Sequence, residues 1–564
     1  MNIESNTRQT QFSVETRRQN LSSLEQDIFD LLIIGGGITG AAIACQAAQR
    51  GYKVALVEQG DFASGSSSKS SKLIHGGLRY LADLRVGLVF EACRQRQRLL
   101  KQAPHLIHRL PFILTFSQNQ SRWPIRLALA LYDAFAVVNH HLTTDSPGWP
   151  QHQFWSAEQT IAQEPVLGDS KLAGAACYYD CAADDARLTL MTLLNAHRLG
   201  AVLTNYTKVI GFTQTKGRIT GVQIHDRQGD VEIEIRARLT ISATGPWTDK
   251  LLKLACPEKT PWLKPTKGIH LIVCHERLPS RAALTFSAPG DGRYLFAVPW
   301  GNRVILGTTD TTFMGDPNNV YATSEEVAYL LEAVQKTFPT ADLNERDILS
   351  TYAGLRPLLR QTNVSSNSHR SREHCLREVT PGLLTIAGGK FTTHQTMAHQ
   401  TVEWVARDLT KIQPQPSVFS ALPGGNISDW AAFQSQQQTA LTAATHLPND
   451  IIANLLTTYG SEVGRILSLL AERPALAQRL YLDLPIITAQ IIYAIQYEMA
   501  LTLTDVLDRR THIFDKATDQ GLGVAQSVAN LMATKLGWTP QEQATQVAYY
   551  RYEVAKSRFW REGF

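Results

Sequence analysis

No stretch of this 564-residue chain reaches the run of about 18 uninterrupted apolar residues that crossing a bilayer requires. The nearest, residues 123–138, is broken by Arg126 and Asp133. Cysteine is sparse: seven residues, Cys45, Cys93, Cys177, Cys181, Cys256, Cys274 and Cys375, an odd number widely dispersed. A disulfide scaffold is therefore excluded, and with no C-x-x-C pair neither a thiol redox motif nor a zinc site is expected; the thiols read as reduced and structural. No D-x-D-x-D-G loop for calcium occurs. Basic residues exceed acidic ones only modestly, 55 against 50 for a net charge of +5, and nowhere densely enough for a nucleic-acid footprint. Residues 1–27 lack the apolar core of a secretory signal, and Glu4, Glu15, Glu25 and Asp27 speak against a mitochondrial transit peptide. That segment is expected to be a loose polar tail, and the chain cytoplasmic. There is no internal repeat, and the serine cluster at 64–71 is the one biased tract.

What is present begins at residue 31. Leu31 to Ile34 is a short apolar run; Gly35, Gly37 and Gly40 follow at G-x-G-x-x-G spacing; helix formers fill 41–50; and residues 54–58 read as a second strand ending in an acid, Glu58. In such a cradle the first glycine permits the turn, the second lets backbone approach a pyrophosphate, and the third lets helix pack on strand. The helix N-terminus supplies the positive end. Glu58, eighteen residues past Gly40, stands where an acid accepts hydrogen bonds from a ribose. Such an acid disfavours NADP, and a cradle near the N-terminus favours FAD, although spacing alone leaves NAD open. The chain length suggests two or three domains, and 44% hydrophobic with 19% charged residues is a globular composition.

Downstream come further blocks: Ser66, Ser67, Ser71 and Lys72, leading into Leu73-Ile74-His75-Gly76-Gly77-Leu78-Arg79-Tyr80-Leu81; Asp184-Asp185-Ala186-Arg187-Leu188; Ala243-Thr244-Gly245-Pro246-Trp247; Lys267-Gly268-Ile269-His270; Gly307-Thr308-Thr309-Asp310; Gly354-Leu355-Arg356-Pro357-Leu358; and Gly388-Gly389-Lys390-Phe391-Thr392-Thr393. In kind and order, over about residues 28–540, they closely resemble the FAD-dependent, quinone-linked, aerobic glycerol-3-phosphate dehydrogenases. The resemblance implies an α/β fold: a Rossmann-type FAD domain of the glutathione-reductase or D-amino-acid-oxidase kind, an antiparallel-sheet substrate domain and an α-helical C-terminal domain. The expected division is 28–85, 180–255 and 350–405 for FAD, 86–179 and 256–349 for substrate, and 420–564 for the helical domain. Strand-like stretches at 231–236, 268–273, 293–298 and 304–306 are expected in the substrate sheet, and helical periodicity marks 450–459, 462–471, 487–499 and 524–536.

The implied reaction takes sn-glycerol 3-phosphate to dihydroxyacetone phosphate, with hydride to flavin and the hydroxyl proton to a base. A phosphate dianion calls for arginine's planar fork, so Arg79 and Arg356 are the phosphate candidates, with Tyr80, Thr308 and Lys390 beside them. Lys390 could also stabilise charge on the reduced ring. His75 and His270 are candidate bases, with Arg356 and Lys390 as alternatives. FAD contacts are expected from Gly35, Gly37, Gly40, Glu58, Ser66, Ser67, Ser71, Lys72, Ala243, Gly245, Trp247, Gly354, Gly389, Lys390 and Thr392. The family commonly continues its lysine block T-T-Y-R, whereas this chain has His394 and Gln395, which loses a phenol and a cation there.

No second cradle for a nicotinamide is found, so the electrons should leave to a membrane quinone. Residues 123–138, with Arg122 and Arg126, resemble an interfacial helix resting on anionic lipid at the inner face of the plasma membrane. A homodimer is compatible with this scheme. The alternatives are a glycerol-3-phosphate oxidase using oxygen, another FAD-dependent hydroxy-acid or amine oxidoreductase of this fold, and a non-catalytic flavoprotein.

Overall fold

The computed structural model describes residues 11–116, 122–143, 148–168, 172–288, 290–360, 374–409 and 420–561. Two sheets organise the chain. The first runs His374–Thr380, Leu383–Gly388, Val231–Ser242, Ile28–Ile34, Val54–Val57, Val202–Thr204, with Arg218–Asp226 paired to the long third strand and Thr207–Thr215 beyond it. Its central pairs are parallel, Leu31 facing both Leu239 and Val54. Leu31 to Ile34 are buried, as strands covered on both faces must be. Ile38–Gln49 covers one face closely because its buried side is Gly40, Ala41, Ala44, Ala47 and Ala48. A Cβ at Gly40 would lie 1.9 Å from the Gly35 carbonyl oxygen, so only glycine allows this approach.

The second sheet is largely antiparallel: Thr311–Thr312, Thr266–Cys274, Arg303–Gly307, Tyr294–Trp300, Ala283–Ser287, Ile107–Phe116, Gly174–Ala183, Leu73–Ile74, with Ile348–Arg356 on Thr266–Cys274 and Gln153–Trp155 on Gly174–Ala183. Among the described residues its one parallel pair joins Ala283–Ser287 to Ile107–Phe116. The helix Ser324–Thr337 backs it, burying Val327, Leu330, Leu331 and Val334 in a shared core with Ile269, Leu271 and Val273. The C-terminal region is helical, with Asn449–Tyr459, Gly464–Glu472, Thr488–Tyr497, Leu522–Leu536 and Pro540–Ser557 beside a short hairpin of Arg479–Tyr481 and Leu484–Ile487.

Three expectations need correction. Residues 231–236 do not join the substrate sheet; they are the first half of Val231–Ser242, in the cofactor sheet. Conversely, Leu73–Ile74 and Ile348–Arg356, placed wholly or largely in the cofactor domain, pair in the second sheet. Alternation announces a strand but carries no information about its partner. Nor is the N-terminal segment loose throughout. Residues 1–10 lie outside the described residues, but Phe12 is buried and Val14–Gln26 is a helix, capped by the Ser13 hydroxyl. Its inward face is Arg17, Asn20 and Leu24: Arg17 donates to the Asn205 carbonyl at 3.0 Å and pairs with Asp226, while Asn20 donates to the Leu203 carbonyl at 2.8 Å. A helix buried through polar side chains has no apolar periodicity to read.

Candidate active site

Between the two sheets, where the parallel strands end, lies a cleft of about 590 Å³. At one end is the glycine turn. Gly35 has φ +114°, and a Cβ there would stand 2.6 Å from the Ala243 carbonyl oxygen. Gly37 differs: its φ is −79°, and a Cβ would meet only the Ser67 hydroxyl, at 3.1 Å. Its missing side chain thus leaves open the mouth of a helix N-terminus, which suits a pyrophosphate. The Glu58 carboxylate accepts from the Gly36 and Gly60 amides at 2.7 and 2.9 Å, and its burial pushes its pKa upward. Ala243, Gly245 and Trp247 line the facing wall. These features fit the ADP half of a dinucleotide.

The loop 64–71 spans the cleft. Ser66 donates to the Leu355 carbonyl at 2.6 Å, and Ser67 accepts the Ile38 amide at 3.0 Å, tying the loop to both sheets. Ser71 meets His270 Nε2 at 2.8 Å. The His270 ring stacks on Tyr352, 4.7 Å between centroids, the two facing each other across paired strands. Burial first, then the cations Arg356 and Lys72, hold the His270 pKa well below its usual value, so the ring is neutral. Gly307 clears space for it, since a Cβ there would lie 2.3 Å from the imidazole.

Arg356 closes the strand Ile348–Arg356. It bonds Thr308 Oγ1 at 3.1 Å and Asp310 at 3.2 Å. Gly268 makes room for its guanidinium, which a Cβ would approach to 2.4 Å. Lys390 follows two glycines of positive φ, Gly388 and Gly389, and its ammonium lies 3.7 Å from the centroid of the Tyr80 ring. The cleft therefore gathers His75, Tyr80, His270, Arg356 and Lys390 with Ser66, Ser67, Ser71, Gly354, Gly389 and Thr392.

Four predicted residues stand elsewhere. Lys72 is buried in an ion pair with Asp185 at 2.7 Å and lies 4.9 Å from the centroid of the Trp300 ring, so it supports the loop rather than lining the cleft. Gly40 acts in helix packing, as above. Thr308 reaches the cleft through Arg356. Arg79 is exposed, its guanidinium on Tyr80 with a 3.1 Å bond to the phenol oxygen. His394 and Gln395 face away: burial lowers the His394 pKa to about 4 as its Nδ1 meets the Phe391 carbonyl at 2.7 Å, and Gln395 bonds Gln102. Their departure from T-T-Y-R leaves the cleft wall as it is. Sequence reasoning missed the space-making role of Gly268 and Gly307, the Arg356 partner Asp310, and Asp185, which holds Ser70 Oγ at 2.7 Å as well as Lys72. Each already lay in or beside a quoted block, but its partner lay far away in sequence.

Residues 30–404 match the family described as FAD dependent oxidoreductase, and residues 419–543 that described as C-terminal domain of alpha-glycerophosphate oxidase. The aerobic glycerol-3-phosphate dehydrogenase of Staphylococcus aureus is 32% identical over 545 residues, 95% of either chain. That of Staphylococcus saprophyticus is 33% identical over 537 residues, covering 93% of this chain and 94% of its own. Among solved structures, the glycerol-3-phosphate dehydrogenase from Bacillus halodurans complexed with FAD superposes with a TM-score of 0.80 at 30% identity, covering 97% of this chain and 98% of that one. The L-alpha-glycerophosphate oxidase of Mycoplasma pneumoniae, at 19% identity and a TM-score of 0.53 over 70% of this chain and 97% of its own, shares the fold.

Proposed function

The chain belongs to the FAD-dependent glycerol-3-phosphate dehydrogenase family, and from that footing we propose that it oxidises sn-glycerol 3-phosphate to dihydroxyacetone phosphate and passes the electrons to a membrane quinone. Bound FAD supplies the acceptor for the hydride that leaves C2 of the alcohol. Gly35, Gly37, Glu58 and the Ala243 to Trp247 wall would hold its ADP half; Gly389, Lys390 and Thr392 line the cleft as candidates for the ring end.

The substrate side follows from the charges. Arg356 and Lys390 are the cations for the phosphate ester, Arg356 with Thr308 and Asp310 fixing its plane. As the hydride departs, the hydroxyl proton goes to His270 Nε2, which exchanges its Ser71 partner for the substrate oxygen. The place of His270 on the cleft wall, its Nε2 2.8 Å from the Ser71 hydroxyl, carries this assignment, and burial beside Arg356 favours the unprotonated ring that can accept a proton. The cations also oppose charge building on the ring after transfer, so the proton passes on to solvent.

The acceptor is argued from a surface. Helix Trp123–Thr143 turns Trp123, Leu127, Ala130, Ala134 and Val138 outward along one stripe, with Trp123 79% and Leu127 73% exposed. Leu84, 84% exposed, and Val86 lie just past the Leu78–Leu81 turn that carries Arg79 and Tyr80 and packs against this helix. Among the described residues no helix is long and apolar enough to cross a membrane. A cationic-flanked apolar stripe beside the cleft suits resting on the inner leaflet, from which quinone could approach.

Anaerobic mixing tests the reaction. Glycerol 3-phosphate should bleach flavin absorbance near about 450 nm, whereas glycerol, lactate and glycine should not. Arg356→Ala should raise the half-saturating concentration roughly ten- to a hundredfold with FAD retained, and Lys390→Met and His270→Asn should slow bleaching. Bleaching by lactate or glycine in preference would overturn the substrate. With anionic liposomes present, a quinone analogue should be reduced faster than peroxide forms; the reverse order would make the protein an oxidase.

A further inference from the structure

No residue of the helical C-terminal region lines the cleft among those described, yet that region grips the loop that does. The π-helical turn Asp505–Arg510 carries three charged side chains toward residues 61–69. Asp508 accepts from Lys69 Nζ, 3.2 Å to each carboxylate oxygen. Arg509 and Arg510 both bond the buried Asp61 carboxylate, at 2.6 Å from Nε and at 2.7 and 2.9 Å from the fork. Asp505 in turn accepts from Arg509 at 2.8 Å and from the Tyr206 phenol at 2.5 Å. Lys69 is a lining residue, its carbonyl lies 2.7 Å from where a Gly354 Cβ would stand, and its ammonium sits between the Tyr352 and Phe514 rings, 5.8 Å from each centroid.

We propose that Asp508 is a positioning residue for the cofactor: by holding Lys69 it keeps loop 64–71 closed over bound FAD, so that the C-terminal domain governs flavin retention without touching the flavin. The anchors divide the work. Asp61 with Arg509 and Arg510 is fully buried, and breaking it would leave uncompensated charge in the interior, so it fixes the base of the loop. Lys69 with Asp508 keeps 17% and 10% of its side chains exposed and stands nearer the loop's middle; Arg509, 3.1 Å from Asp508, holds the carboxylate in place, so the Lys69 end can open and close without unfolding the interface. The partners come from residues 439 positions apart, so the loop is completed only when the C-terminal domain docks.

The test is flavin release from the full-length holoenzyme, followed by the rise in free-flavin fluorescence on dilution and without any substrate. Its outcome is therefore independent of the glycerol-phosphate assignment. Asp508→Ala and Lys69→Met should each speed release about ten- to a hundredfold, the scale of a charge-assisted hydrogen bond. The double variant should fall short of the product of the two single effects, since both remove the Lys69–Asp508 pair while each also loses a contact of its own, Asp508 with Arg509 and Lys69 with the Tyr352 and Phe514 rings. Asp508→Asn, which keeps the side-chain shape, should release flavin faster than the parent at an unchanged apoprotein melting temperature, so a misfolded alanine variant leaves the question decidable. Parental release from Asp508→Asn, or additive effects in the double variant, would overturn the proposal.

Discussion

At the scale of the residue, the three glycines of the cradle differ in what they tolerate. A Cβ at Gly35 or Gly40 would stand 2.6 or 1.9 Å from a backbone carbonyl oxygen, so any side chain there disturbs the fold. Gly37 has an ordinary φ and only a hydroxyl nearby. Gly37→Val should therefore yield a folded protein with a parental melting temperature and little FAD, whereas Gly40→Val should express poorly. Flavin-to-protein absorbance ratio and thermal melting separate the two, and full flavin in Gly37→Val would disprove a pyrophosphate at that turn. The histidines show the same dependence on surroundings. Burial beside cations holds the His270 pKa below its usual value, whereas His512, bonded to Asp184 at 2.7 Å, is held above it.

Among elements, helix Trp123–Thr143 shows how one segment serves two surfaces. Leu129, Tyr132 and Ala136 are buried; Tyr132 bonds Asp180 at 2.7 Å, which also accepts the Gly76 amide at 3.0 Å, tying the helix to the loop before Arg79. The outward stripe is the surface proposed above to rest on lipid. Its arginines are anchored, Arg122 to the Ala173 carbonyl at 2.9 Å and Arg126 over Phe154 at 4.4 Å. Each basic residue near an anionic leaflet contributes about 1 kcal/mol. Reversing both, Arg122→Glu with Arg126→Glu, should weaken sedimentation with anionic liposomes at least about tenfold while a soluble dye acceptor still turns over. Undiminished binding would remove this helix from the membrane contact.

For the whole molecule, stability should carry an acid limb from histidines buried in neutral form. Burial lowers His394 to about 4 and His105 to about 3. Because the unfolded chain titrates near about 6.5, it binds more protons than the fold between those values. Their contribution is complete above that pH and is lost as pH falls through it toward the folded values. His512 works oppositely: its contribution is present below the unfolded value and fades as pH rises through its raised folded one. With His108, His197 and His270 also lowered by burial, the histidines below their usual value outnumber His512, and the melting temperature should fall from about pH 7 to about pH 4. His394→Asn should flatten that fall; an unchanged slope would show that His394 is protonated or solvated in the fold.

What the sequence determined by itself was the chemistry written in short blocks. A strand, a glycine turn, a helix and Glu58 lie within thirty residues, so one local pattern specifies the nucleotide end. The C-terminal helices at 450–459, 462–471 and 524–536 were likewise legible, because an apolar face repeats along each. Tertiary structure alone decided who meets whom. It placed Val231–Ser242 and Ile348–Arg356 in opposite sheets, turned Lys72 to Asp185 and left Lys69 on the cleft, and fastened Arg17, Asp61 and Asp508 to partners far along the chain. The physical reason is that a strand's period, or a lysine's charge, is a property of a few adjacent residues. Its partner is fixed only when distant segments close on one another, and no local pattern records that choice.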